Sequence, residues 1–354
     1  MQIRIKQKFN IISHKIGTKF LIVNSSYFVQ IFPGQLHFKD LNSNKSFKVF
    51  LDFIGPIKKF TIFQNLQNGN LKVSFHSEEG FLSYKIFNEN NTCSIQFERL
   101  PLDEISVKID KAKKIKEKEI LNLPIKISYT KKPEEFLFLG IHKKQDLALI
   151  HKRENLTEFL PFLFLYSQFF KDIQTKKCLR DNCLVRDLAE KIQNKKRSEI
   201  EDQFIKVYKA HFFDCFIPRV NDEDFQNIIP IVVEKEAYPL HILRKLFYII
   251  KSILINQKLD EISFLPSLPI TFHSGKALNI TLPIGSFDIE WSKKLIKKLI
   301  FRPKKDVKLK FCFQSKINDY RLRRFLKEKG KFFKNKDFLS FEKNKTYYFD
   351  KFQK

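Results

Sequence analysis

Through the first 130 residues, apolar and polar positions alternate with a period near two in short runs: Ile3–Ile5, Lys19–Val23, Tyr27–Phe32, Ser46–Phe53, Lys59–Phe63, Leu71–His76, Phe81–Phe87, Cys93–Glu98 and Pro124–Tyr129. β-Branched and aromatic residues fill these runs, and NSS, LNSNK, QNGN, SEEG and NENN separate them. Such alternation broken by Asn, Gly and Ser predicts antiparallel strands joined by tight turns. The charged stretch KIDKAKKIKEKE, residues 108–119, interrupts the series and is expected to be a solvated linker or an exposed helix.

From about Pro133 the period lengthens. Asn155 precedes an apolar run with Glu158 three residues on, a helix-capping arrangement. Between Glu199 and Phe216 apolar residues recur close to every 3.6 positions, and Pro239 is placed to open a helix running from His241 to about Gln257. The alternating pattern then resumes at Pro269–Phe272, Ala277–Leu282, Val307–Phe313 and Thr346–Phe352. Ser292 is placed to cap a short helix over Lys293–Phe301, with Leu295, Ile296, Leu299 and Ile300 on one face and Lys293, Lys294, Lys297 and Lys298 on the other. These changes of period define an α+β protein: an N-terminal antiparallel β-sandwich-like domain (1–130), a central helical region (131–265) and a basic, β-rich C-terminal part (266–354).

Composition adds two constraints. At 43% hydrophobic against 30% charged residues, the 354-residue chain has enough apolar surface for a sizeable core. Lys, Ile, Asn and Phe are abundant and Gly, Trp and Met scarce, which matches drift toward A- and T-rich codons, so neither the 40 phenylalanines nor the +27 net charge is by itself a sign of function. The distribution of charge says more. Residues 290–354 hold 22 Lys and Arg against 7 Asp and Glu, a net +15 of the total +27. Concentrated positive charge points to an anionic partner, RNA or another polyanion before an acidic membrane surface.

Chemistry-bearing motifs are few. The glycines stand at 17, 34, 55, 69, 80, 140, 275, 285 and 330, too far apart for a dinucleotide-binding, P-loop or nucleophile-elbow motif. Cys93, Cys178, Cys183, Cys215 and Cys312 lack zinc-ligand spacing and any secretory context, so reduced thiols are expected, with no metal and no cofactor. No leader or bilayer-spanning run is apparent, since the longest apolar stretch, Phe159–Phe170, falls short of a bilayer of roughly 30 Å. A cytoplasmic location follows as the expectation.

Three constellations remain. A strand over Ser286–Trp291 places Asp288 and Glu290 on one face, where paired carboxylates suit acid–base chemistry on a carbohydrate or phosphate substrate; the alternative is that both face solvent above a core anchored by Trp291. His142 with Asp146 and His151 with Glu154 are at helical pairing distance. Tyr320, Arg321, Arg323 and Arg324 interleave guanidinium with aromatic groups, a combination suited to phosphates and bases. The expectation is a non-catalytic polyanion-binding module, with an enzyme built on Asp288 and Glu290 as the alternative.

LGIHKKQD at 139–146 with the following ENLTEFLPFLF, GSFDIEWSKK at 285–294 and the ending YFDKFQK resemble uncharacterised proteins of Chlamydia-like bacteria. That resemblance implies a bacterial intracellular setting and no catalytic residues.

Overall fold

The computed structural model describes residues 3–6, 8–43, 45–127, 132–140, 145–172, 183–213, 216–220 and 239–354. The chain first forms twelve strands: β1 (Asn10–Ser13), β2 (Lys19–Leu21), β3 (Tyr27–Phe32), β4 (Gln35–Asp40), β5 (Ser46–Leu51), β6 (Lys58–Asn65), β7 (Leu71–His76), β8 (Phe81–Glu89), β9 (Thr92–Arg99), β10 (Glu104–Lys108), β11 (Ala112–Lys116) and β12 (Ile120–Lys126). They make two six-stranded antiparallel sheets, ordered β1-β6-β7-β8-β9-β12 and β11-β10-β5-β4-β3-β2. Alternate residues such as Val29 and Ile31 of β3, or Val73 and Phe75 of β7, turn inward and are fully buried, which is the physical content of the period-two pattern.

Two expectations are corrected in this part. Ile3–Ile5 is not a strand, although Ile3 is buried. The run at 108–119 is neither linker nor helix, since it holds the β10–β11 hairpin. Only Ile115 of β11 is buried, but it faces Ile105 across the ladder, and Lys113 pairs with Glu119 at 2.6 Å and Lys114 with Glu104. Cross-strand pairing offsets the weak strand preference of lysine.

The middle of the chain contributes β13 (Phe136–Phe138), α1 (Leu147–Arg153), α2 (Leu156–Gln168), α3 (Cys183–Gln193), α4 (Arg197–His211), β14 (Phe212–Phe213), β15 (Ile217–Pro218) and α5 (Pro239–Leu254). Asn155 caps α2 as expected, its side chain accepting from the Thr157 amide at 3.0 Å. Glu158 ion-pairs with Arg153, whose Nε lies 2.8 Å away. Every α2 residue except Thr157 is buried, and the Tyr166 hydroxyl donates to Gln64 Oε1 of β6 at 2.8 Å, tying the helices to the sandwich. Pro239 opens α5, which ends at Leu254, earlier than expected, because the chain passes directly into a strand. No helix among the described residues is long and apolar enough to cross a membrane.

The remaining strands are β16 (Ile255–Lys258), β17 (Glu261–Phe264), β18 (Ser274–Leu282), β19 (Gly285–Ser292), β20 (Leu295–Pro303), β21 (Val307–Cys312), β22 (Asp319–Arg323), β23 (Lys331–Lys334), β24 (Phe338–Phe341) and β25 (Tyr347–Gln353). A seven-stranded sheet runs β13-β18-β19-β20-β25-β22-β23, and a four-stranded sheet runs β16-β17-β21-β24. The phenylalanine abundance is spent between them. Phe287 stacks on Phe301 with centroids 4.5 Å apart, Phe311 meets Phe341 at 5.1 Å and Phe349 at 5.2 Å, and all five rings are buried.

Two further expectations fail here. Pro269–Phe272 is a turn, closed by the Phe272 amide on the Pro269 carbonyl at 3.2 Å. Lys293–Phe301 is not an amphipathic helix. Lys293 and Lys294, at φ 52° and 62°, form the two-residue turn between β19 and β20, and the rest is strand. The register steps from Glu290↔Lys298 to Trp291↔Ile296, so Lys297 is an extra, bulged residue. That bulge brings Ile296 and Leu299, three residues apart, onto the same buried face, and it creates the spacing that imitates a helix.

Candidate anion-binding edge

Asp288 and Glu290 do share the outer face of β19, while Ile289 and Trp291 point into the core and Trp291 Nε1 donates to the Phe272 carbonyl at 3.1 Å. Each carboxylate is already engaged. Asp288 accepts from Arg302 Nη2 at 2.5 Å and from the Asn279 amide at 2.8 Å, where β18 is bulged. Glu290 pairs with Lys298 at 2.9 Å. Asp288 and Glu290 therefore act as rungs of a cross-strand charge ladder, and neither lines the cleft described below.

His142 lies outside the described residues, as do Cys178 and Cys215. Asp146 caps α1 and accepts from the Leu149 amide at 3.2 Å. His151 Nδ1 is 2.8 Å from the Tyr208 hydroxyl, and Glu154 pairs with Lys209 at 2.6 Å. Cys93, Cys183 and Cys312 are free thiols.

The arginine cluster divides. Tyr320 is buried against Phe313, Phe349 and Phe352, so its ring cannot receive a base. Arg321 grips Asp350 with two hydrogen bonds, Nε to Oδ1 at 2.7 Å and Nη2 to Oδ2 at 3.1 Å, and Arg323 reaches the same Oδ2. The side chains of Arg321, Arg323 and Asp350 are only 17%, 10% and 13% exposed. Burial would raise the Asp350 carboxyl, but the hydrogen bond from Arg321 and the charges of both arginines outweigh it and hold the group below its ordinary 3.8. Arg324 lies 3.4 Å from Glu342.

Both guanidiniums also hold the β22–β23 loop. Arg323 Nη1 donates to the Leu326 carbonyl and Arg321 Nη1 to the Lys329 carbonyl at 3.4 Å. Glu328 folds back along its own exposed loop to accept from the amides of Arg324 at 2.6 Å and Phe325 at 3.2 Å, and these two bonds hold its carboxyl below the ordinary range. Gly330, at φ +74°, lets the chain lie directly on the arginine stems, for a Cβ there would stand 2.5 Å from both the Leu322 carbonyl and Arg323 Cγ.

What the clamped loop presents is Lys327 and Lys329, followed on the edge strand β23 and its turn by Lys331, Lys334 and Lys336. None of the five forms an ion pair among the described residues. Of the nearby carboxylates, Glu328 is engaged as above and Asp337 accepts from the Lys334 amide at 2.8 Å, while Asp319 stands opposite Lys334 in the ladder and Lys336 lies within electrostatic reach of Glu261. Beside these lysines Phe325 and Phe332 are 73% and 52% exposed. The alternating lysines of KEKGK are the signal that sequence reading passed over in favour of the arginines.

Lys334 and Lys336 also border a cleft of about 800 Å³ between the two C-terminal sheets, faced by Lys195 and Arg197 from the α3–α4 turn and floored by Phe264 and Phe313. Its one thiol, Cys312, is pushed up to about 11 by burial and by Glu261. Glu261 is held low in turn, first by the Cys312 hydrogen bond and then by Lys310, 3.2 Å away. A thiol protonated at neutral pH does not suit nucleophilic chemistry. Among the described residues no cluster of three or more His, Cys, Asp or Glu is arranged to hold a metal.

No family model matches the chain, and no curated protein matches it in sequence.

Proposed function

We propose that this protein is a non-catalytic binding module for a polyanion, in the bacterial setting that the sequence resemblance implies, and that it binds through the loop and edge strand between Arg324 and Lys336. The observation that carries this reading is the density of lysines without an ion pair among the described residues, five within the ten residues Lys327 to Lys336, next to the exposed Phe325 and Phe332. Elsewhere in residues 290–354 seven cations, Arg321 and Arg323 among them, have carboxylate partners, and the ten other lysines without one among the described residues are spread more thinly along the chain. Ammonium groups with no hydrogen-bonded carboxylate can meet phosphates without first breaking a salt bridge. The enzyme alternative gains nothing from Asp288 and Glu290, whose cross-strand cations would have to leave before either carboxylate could act.

The test is binding of inorganic polyphosphate to the full chain across a salt series. If the five lysines contact phosphate, affinity falls about a hundredfold or more between about 50 and 200 mM salt. Lys327, Lys329, Lys331 and Lys334 all changed to Gln remove most of that dependence. Equal binding by this variant and the wild type refutes the assignment of the edge.

A further inference from the structure

Within that polyanion reading, on which it rests, we infer that the ligand is a single-stranded nucleic acid whose bases stack on Phe332 and Phe325 while the surrounding lysines hold its phosphates. Phe332 stands on the outer face of β23, opposite Arg321 in the ladder, whereas its neighbour Phe333 turns inward against Tyr320. Phe332 thus sits on a strand whose facing residue, Arg321, is held by Asp350, and Phe332 itself is 52% exposed. Lys334, two residues on, projects from the same face at a separation of ~6.8 Å along the strand. That distance lets one nucleotide place its base on the ring and its phosphate at the ammonium group. Phe325 is likewise exposed, on the loop two residues before Lys327.

An exposed ring beside unpaired cations suits unstacked bases because every base offers a π-face, whereas paired bases within a duplex do not. An anionic bilayer fits less well. Inserting Phe332 would bring the outer sheet face, with its Asp288–Arg302, Glu290–Lys298 and Arg321–Asp350 pairs, into a medium that penalises buried charge.

The experiment measures affinity of the full chain for a short mixed-sequence single strand, as RNA and as DNA, for the matching duplex, for inorganic polyphosphate and for phosphatidylserine vesicles. Phe332→Ala and Phe325→Ala, both at exposed positions, are each expected to lower single-strand affinity roughly fivefold to a hundredfold while leaving polyphosphate binding unchanged. Phe332→Trp retains the affinity. If the alanine variants bind single strands like the wild type while polyphosphate binding persists, the stacking inference is wrong and the polyanion reading stands. Equal affinity for duplex and single strand also overturns the inference, as does vesicle binding that depends on Phe325 in the absence of single-strand binding. Loss of every polyphosphate and nucleic-acid interaction in the wild type defeats both.

Discussion

Removing one negative charge from a polyanion-binding surface should tighten binding if net charge governs affinity; at Asp350 the opposite is expected. Its carboxylate, 13% exposed, accepts two bonds from Arg321 and one from Arg323, and those two guanidiniums also hold the Leu326 and Lys329 carbonyls of the lysine-bearing loop. Asp350→Asn keeps the shape and one acceptor but removes the charge from bonds that contribute about 1.5–3 kcal/mol each net of solvation. It also leaves two cations facing one another. Breaking a buried pair costs about 3–5 kcal/mol, and the residual exposure here lowers the expectation to about 2–3 kcal/mol. For a chain of this length unfolding as one unit, that is a fall of about 3–4 °C in Tm. The carboxyl is held below 3.8 in the folded protein, so its stabilising contribution is complete above that value and is lost as pH falls through the depressed pKa. Wild type and variant should therefore converge in strongly acid solution. Denaturation at neutral and acid pH reads the stability, and polyphosphate titration reads the loop. A loss under about 0.5 kcal/mol at neutral pH, or tighter polyphosphate binding by the variant, would refute the clamp.

Two other perturbations test the framework. Lys251 donates to Glu135 at 2.9 Å and to Thr281 at 3.3 Å, and Glu135 is 1% exposed, so Lys251→Met should destabilise by about 3–5 kcal/mol in urea unfolding, with Glu135→Leu added to it restoring much of the loss. Burial depresses Lys251 below 10.5 against the pull of Glu135; the wild type should accordingly gain stability as pH rises through the depressed pKa toward 10.5, a rise that Lys251→Met lacks. Replacing the left-handed turn residues by Lys293→Asn and Lys294→Gly should raise the free energy of unfolding by roughly 0.5–1 kcal/mol in urea denaturation, and a decrease would contradict the turn geometry.

Much of the fold was legible because local pattern and burial agree: β3 and β7 coincide with their alternating runs, and Asn155 and Pro239 mark helix starts. The errors arose where a partner strand decides the conformation. In β4 only Leu36 and Phe38 turn inward, with His37 and Lys39 outside, too few apolar positions to register as a strand without β3 and β5 alongside. In β20 the bulge at Lys297 exists only relative to β19, and its effect on spacing is indistinguishable in one dimension from a helical period.

The candidate site was legible in charge and illegible in pairing, for a related reason. Excess Lys and Arg in the last 65 residues can be counted, but which of them are free depends on β25 lying between β20 and β22, an order that carries Asp350 to Arg321 and Arg323 from 29 and 27 residues away. Guanidinium groups are suited to phosphates and to carboxylates by the same planar, forked geometry. Where topology supplies the carboxylate first, the arginine becomes scaffold and the recognition passes to what that scaffold presents. Here it presents lysines without ion pairs among the described residues and two exposed phenylalanine rings. The repeating lysines around Gly330, inconspicuous in the sequence, are exposed and form no ion pair among the described residues.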